Sequence, residues 1–122
     1  MPLRFLLDED LRGPLWNAII RHNIGAADSI DALRVGDSGA PPTGTLDDAL
    51  LVWTETHDRI LVSFDKSTMQ GHLHNHLAAG RSSPGIFQVR AQASIPATLS
   101  FLICAAYASE PNEWRNACTF IP

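Results

Sequence analysis

Asp8, Glu9 and Asp10 close the apolar run Leu3-Arg4-Phe5-Leu6-Leu7, and Asp65 closes a second run, Ile60-Leu61-Val62-Ser63-Phe64. Short apolar runs that end in carboxylates are what strands of a parallel sheet look like when their C-terminal ends line a site. In open α/β sheets that edge is where ligands bind, at the point where strand order reverses. Carboxylates held a few ångströms apart repel one another, so such a cluster calls for a proton or a hard cation such as Mg²⁺ or Mn²⁺. These residues point to a metal site before they point to a reaction.

The elements that must position the acids can be read along the chain. After Leu3–Leu7, the residues Leu11, Leu15, Ile19 and His22 recur at helical spacing, with Asp10 as the expected N-cap. Ala26–Ile30 is a strand candidate with one bulky apolar residue, and 36–45, with its glycines and Pro41-Pro42, is a loop. Thr45 is the expected cap of a helix from Leu46 to His57, with Asp48 in the capping-box position. Strand 59–64, helix 68–79, strand Ile86–Val89, a helix from Ile95 to Ala108 capped by Ser94, and strand Cys118–Ile121 complete the order. Alternating strands and helices predict an α/β fold, a three-layer α/β/α domain over residues 1–122 with a mostly parallel sheet.

Asp47 and Asp48 open the second long helix, where acids favour the helix dipole. A helix that starts at the C-terminal edge of the sheet could equally bring Asp47 to the crevice of Asp8 and Asp65. Spacing leaves both roles open.

Bulk properties narrow the setting. A chain of 122 residues with 45% hydrophobic and 18% charged content is long enough to bury a core as one domain. Net charge is −4, so the chain lacks the broad basic footprint of nonspecific nucleic-acid binding, and any such contact must be local and metal-assisted. Cys104 and Cys118 give neither a disulfide framework nor a zinc spacing, and a reducing cytoplasm is the simplest compartment. The run Phe5-Leu6-Leu7 is far shorter than the ~7–15 apolar residues of a signal peptide. The stretch from Ile95 to Ala108 falls below the ~20 residues of a membrane span, so no membrane association is expected.

The chain resembles the PIN-like nucleases that act as toxins of bacterial toxin–antitoxin pairs. The matching pieces are Leu6-Leu7-Asp8-Glu9-Asp10-Leu11 for the family's opening "LLDENL", Asp47 for its "D-x-x-hhxxA", and Ile60-Leu61-Val62-Ser63-Phe64-Asp65-Lys66 for "hLhTxDxD". Later pieces are Ser67-Thr68-Met69, Ser82-Ser83-Pro84-Gly85-Ile86-Phe87 and Glu113-Trp114-Arg115-Asn116. Each motif is short, but their order and spacing carry the likeness almost from end to end.

The resemblance implies that Asp8, Asp47 and Asp65 are catalytic, metal-binding acids, with Glu9 as a further ligand and Mg²⁺ or Mn²⁺ as the cofactor. It implies a metal-dependent endoribonuclease with RNA as substrate, a cognate antitoxin as partner and a possible homodimer. Arg12, Arg34 and Lys66 are the basic candidates for gripping phosphates. Asp10 departs from the family's Asn, Phe64 stands where a Thr-x-Asp or His-Asp pair is common, and Ser67 replaces a frequent acid. These departures imply fewer ligands than in an archetypal member, so a non-catalytic PIN-like binding module is the alternative. A receiver-type phosphoacceptor domain has similar length and acids, but it needs a lysine after a late strand. Here Arg90 follows Val89 and Pro122 follows Ile121.

His72, His74 and His76 alternate, yet on a helix only His72 and His76 share a face, and no third ligand is at hand for zinc. They read instead as a solvated face or an RNA-contacting surface. Trp16, Trp53 and Trp114 read as packing rather than base-stacking residues. Crowded Asp8, Asp47 and Asp65 should destabilise the metal-free fold by repulsion, so replacing one with Asn should stabilise it.

Overall fold

The computed structural model describes residues 2–11, 13–64 and 66–122; Met1, Arg12 and Asp65 lie outside these. Among the described residues five strands, β1 (Arg4–Leu7), β2 (Asp31–Arg34), β3 (Ile60–Phe64), β4 (Ile86–Val89) and β5 (Cys118–Ile121), form one sheet in the order β2-β1-β3-β4-β5. Every pairing is parallel. The described residues form four α-helices, α1 (Pro14–Asn23), α2 (Asp47–His57), α3 (Met69–Ala78) and α4 (Ile95–Ala108).

Strand alternation sorts the side chains into two cores. Phe5 and Leu7 of β1, Ile60 and Val62 of β3, and Phe87 and Val89 of β4 pack with Leu15 and Ile19 of α1 and Leu102, Ala105 and Ala106 of α4. Their neighbours Leu6, Leu61 and Ile86 face the other way, against Leu50 and Leu51 of α2 and Met69 and Leu73 of α3. Helices therefore cover both faces, and the fold is the expected three-layer α/β/α arrangement. Phe87 is the hinge of the first core, its ring meeting those of Phe5, Phe101 and Trp114.

The order has a functional consequence. From β1 the chain moves outward through α1 to β2, then returns past β1 to place β3, β4 and β5 on the other side. The topological switch point thus lies between β1 and β3, and the crevice outside their carboxyl ends is where this class of sheet binds ligands.

Three local expectations are corrected. The second strand is Asp31–Arg34, not Ala26–Ile30. Asn23 at the end of α1 accepts from the Ile30 amide and donates to the Ile30 carbonyl, both at 2.8 Å, so Ile30 spends its backbone groups before the ladder begins. Asp10 does not cap the first long helix, because Glu9–Leu11 form a separate 3-10 turn and α1 begins at Pro14, whose missing N–H is harmless in a first turn. Thr45 does not cap α2 either: its hydroxyl donates to the Pro42 carbonyl, and Leu46 occupies the cap position without a side-chain bond. Ser94 does cap α4, accepting from the Ala97 amide.

The segments 82–87 and 113–116, read above as family signatures, meet at the opposite, N-terminal edge of the sheet. Ser83 N–H donates to Asn116 Oδ1 at 2.8 Å, and Asn116 N–H donates to the Ser83 carbonyl at 2.9 Å. Gly85, at φ +127°, lies so close to the Trp114 carbonyl that an added Cβ would stand 2.5 Å from its oxygen. This junction fixes β5 beside β4.

Candidate active site at the switch point

Asp8 is the first residue past β1 and is 3% exposed. Its amide donates to the Val62 carbonyl of β3 at 2.9 Å, extending the pairing by one bond and setting the side chain at the mouth of the crevice. The carboxylate accepts the Glu9 amide on Oδ1 at 2.7 Å and the Lys66 ammonium on Oδ2 at 2.9 Å. A buried carboxylate needs such partners, since an unpaired buried charge is costly.

Lys66 follows β3 just beyond Asp65. Its Nζ also lies 3.9 Å from Asp47 Oδ1, so one ammonium is shared by acids from the end of β1 and the start of α2. Burial pulls the Lys66 pKa down, but the hydrogen bond to Asp8 and the charges of Asp8, Asp47 and Asp10 outweigh it and leave the group above the ordinary lysine range. Lys66 is therefore a charged counter-ion of the cluster. Its charge lies between Asp8 and Asp47 and offsets part of the repulsion expected between those two acids.

The loop after β3 is itself anchored. Gln88, 1% exposed in the middle of β4, donates from Nε2 to the Lys66 carbonyl at 3.2 Å, while its Oε1 lies 3.1 Å from the Cys118 sulfur. A polar residue inside the apolar strand Ile86-Phe87-Gln88-Val89 was the sequence signal for this role.

Asp47 does reach the crevice, and of its two readings the site position describes its surroundings better than a plain dipole acid. His72, in the first turn of α3, approaches it at 3.7 Å and donates from Nδ1 to Asp48 Oδ1 at 2.6 Å. His72 was not among the expected site residues. Its signal was positional, because a helix following β3 must start at the same edge as the acids. One turn on, His76 turns away to the Ser82 carbonyl and Glu55.

Other expected residues are placed elsewhere. Glu9 accepts from the Gly44 amide at 3.3 Å, which ties it to the 36–45 loop. Arg34, at the end of β2, is paired with Asp37 at 2.9 Å and lies over the Trp16 ring. Asp65 and Arg12 fall outside the described residues. Among the described residues, no group of three or more His, Cys, Asp or Glu side chains is close enough to hold a metal ion. Asp8 and Asp47 do supply hard oxygen donors around one positive charge, and Mg²⁺ commonly uses one or two carboxylates with substrate phosphate and water completing its shell. The donor set suits such an ion.

A cavity of about 300 Å³ lies at the opposite edge, between Arg4, Asp58, Pro84 and Arg115, remote from the acids. Among the described residues no helix is long and apolar enough to cross a membrane. Compared with known proteins, the chain matches no family model, no curated protein and no solved structure.

Proposed function

We propose that the chain is a metal-dependent ribonuclease of the PIN-like kind, hydrolysing RNA phosphodiesters at the Asp8–Asp47 crevice. The observation that supports it most is the sharing of one cationic group by two acids, 39 positions apart in sequence, at the switch point of the sheet. Asp8 and Asp47 would hold the cation, with Asp65 as the third acid that the resemblance implies. A divalent ion there supplies activation of a water and neutralisation of charge on the scissile phosphate. Of the chain's own groups, Asp8 is fixed by the Glu9 amide, Asp47 by its place in the first turn of α2, and the Lys66 ammonium lies between their carboxylates. With a cation held by Asp8 and Asp47, the Lys66 ammonium would be available to meet a phosphate. In the same reading the protein is a cytoplasmic toxin neutralised by a cognate antitoxin.

A second reading draws on the same contact. Because Lys66 already pairs with Asp8, the buried carboxylate has a partner without an ion, which favours a non-catalytic PIN-like binding module. The strand order is also compatible with a receiver-type domain, but the lysine here follows β3 rather than a late strand.

Incubation of a mixed single-stranded and structured RNA pool with Mg²⁺, Mn²⁺ or EDTA separates the readings. Cleavage that requires metal and disappears in Asp8→Asn and Asp65→Asn supports the nuclease. Folded protein that cleaves under none of these conditions supports the binding module.

A further inference from the structure

We infer that the cavity at the N-terminal edge of the sheet binds a small apolar monocarboxylate, held by Arg4 and Arg115. Its volume of about 300 Å³ is at the small end for small-molecule sites. Arg4 opens β1, Ile60 opens β3, Pro84 stands just before β4 and Arg115 just before β5, so the strand starts bring all four to one place. Leu3 and Ile60 give the cavity a wall continuous with the first core, and three prolines complete its apolar part. The charged lining is Arg4, Arg115 and Asp58, the left-handed residue (φ 53°) that ends α2. The acid crevice lies at the other edge, so this site is independent of the ribonuclease reading.

A single exposed arginine is solvated and implies no ligand. Here two line one cavity, and among the described residues no carboxylate pairs with either, although the chain has 13 acidic side chains for 9 lysines and arginines. Asp58 lines the same cavity without bridging to them. Arg4 donates one N–H to the His57 carbonyl at 2.6 Å, which orients its guanidinium, and Arg115 makes no side-chain hydrogen bond among the described residues. Two guanidiniums and one carboxylate leave a single net positive charge, which suits a monoanion better than a phosphate dianion. A guanidinium meets a carboxylate in a bidentate fork, and the apolar wall takes a hydrocarbon body that keeps the ion pair partly out of water. The segment carrying Arg115 is held on both sides of it: Trp114 N–H donates to the Pro111 carbonyl at 3.2 Å, and Asn116 is bonded to Ser83. Such preorganisation lowers the cost of binding.

Calorimetric titration of the intact chain with hydrocinnamate and with isocaproate, in EDTA and without RNA, tests this apart from any nuclease activity. At least one of the two carboxylates should bind saturably, with its uncharged amide and inorganic phosphate about tenfold weaker. Arg115→Gln, which removes no internal bond, should melt like wild type and weaken carboxylate binding about tenfold, and Arg4→Gln should weaken it similarly. Asp58→Asn keeps a residue tolerant of left-handed backbone and should tighten binding by removing a like charge. Arg90→Gln, the same change of charge just past the far end of β4, should bind as the wild type does. A wild type that binds neither carboxylate overturns the site, as does equal affinity for the carboxylate and either its amide or phosphate. Unchanged binding in a folded Arg115→Gln does so too. If Arg4→Gln lowers the melting point, Arg115→Gln and Asp58→Asn decide.

Discussion

The Lys66 ammonium lies 2.9 Å from Asp8 Oδ2 across the gap between the ends of β1 and β3. Asp8 is almost fully buried, and among the described residues its other side-chain bond comes from the Glu9 amide. Lys66→Met should therefore destabilise the fold by roughly 1–3 kcal/mol, the cost of leaving a buried polar group short of a partner. Adding Asp8→Asn to that variant should recover part of the loss. Urea denaturation of the two single variants and the double reads the coupling; additive effects would deny it.

Glu55 gives a prediction about pH. The Ser82 amide lowers its pKa most, slight burial opposes this, and the hydrogen bond and charge of Arg81 and the charge of His76 lower it further. A depressed carboxylate contributes stability that is present above its unfolded value and lost as pH falls through the folded one. Wild type should thus lose this contribution below about pH 4.3. Thermal melts from pH 6 down to about pH 3 should fall less steeply for Glu55→Gln, and equal slopes would remove Glu55 from the acid response.

Gly85→Ala should cost roughly 1–3 kcal/mol from backbone strain at positive φ, with the collision against the Trp114 carbonyl added to it. Gly80, also at positive φ but with open space around its Cβ position, provides the comparison. Its alanine variant should lose less. Equal midpoints for the two variants in urea would show that the close approach at Trp114 is relieved at little cost.

Phe87→Ala should destabilise by roughly 3–5 kcal/mol, because the ring is fully buried and its removal leaves a cavity among Phe5, Phe101 and Trp114. Phe120→Ala, at the exposed end of the same sheet, should leave the midpoint nearly unchanged. A small loss at Phe87 would mean that the first core collapses around the gap.

Much of the fold was legible because the strands that matter most are buried on both faces. Runs such as Leu3–Leu7 and Ile60–Phe64 have no polar face to conceal them, and Ser94 announces α4 by local chemistry alone. β2 was displaced because it is the edge strand, pairing only with β1, and its Asp31-Ala32-Leu33-Arg34 is too exposed to carry a hydrophobic signal. Asn23 decides where it starts from seven residues away, a contact that no periodicity reveals.

The site was legible as a set of acids at strand ends, since the parallel sheet gathers those ends. Its internal pairing was not. Lys66 reads in sequence as a surface or phosphate-gripping lysine, and only the register of β1 against β3 sets it on Asp8. Glu9 and Arg34 have partners of the same hidden kind, Gly44 and Asp37, supplied by the loop after β2, whose path the sequence leaves undefined.

In the proposed reading Asp8 and Asp47 form a cation site whose place the Lys66 ammonium holds when no metal is bound. Calorimetric titration of Mn²⁺ into wild type, Asp8→Asn and Lys66→Met tests it most directly. Mn²⁺ should bind wild type saturably, bind Lys66→Met more tightly because the competing ammonium is gone, and not bind Asp8→Asn. Binding of equal strength to all three proteins, or to none of them, would contradict it.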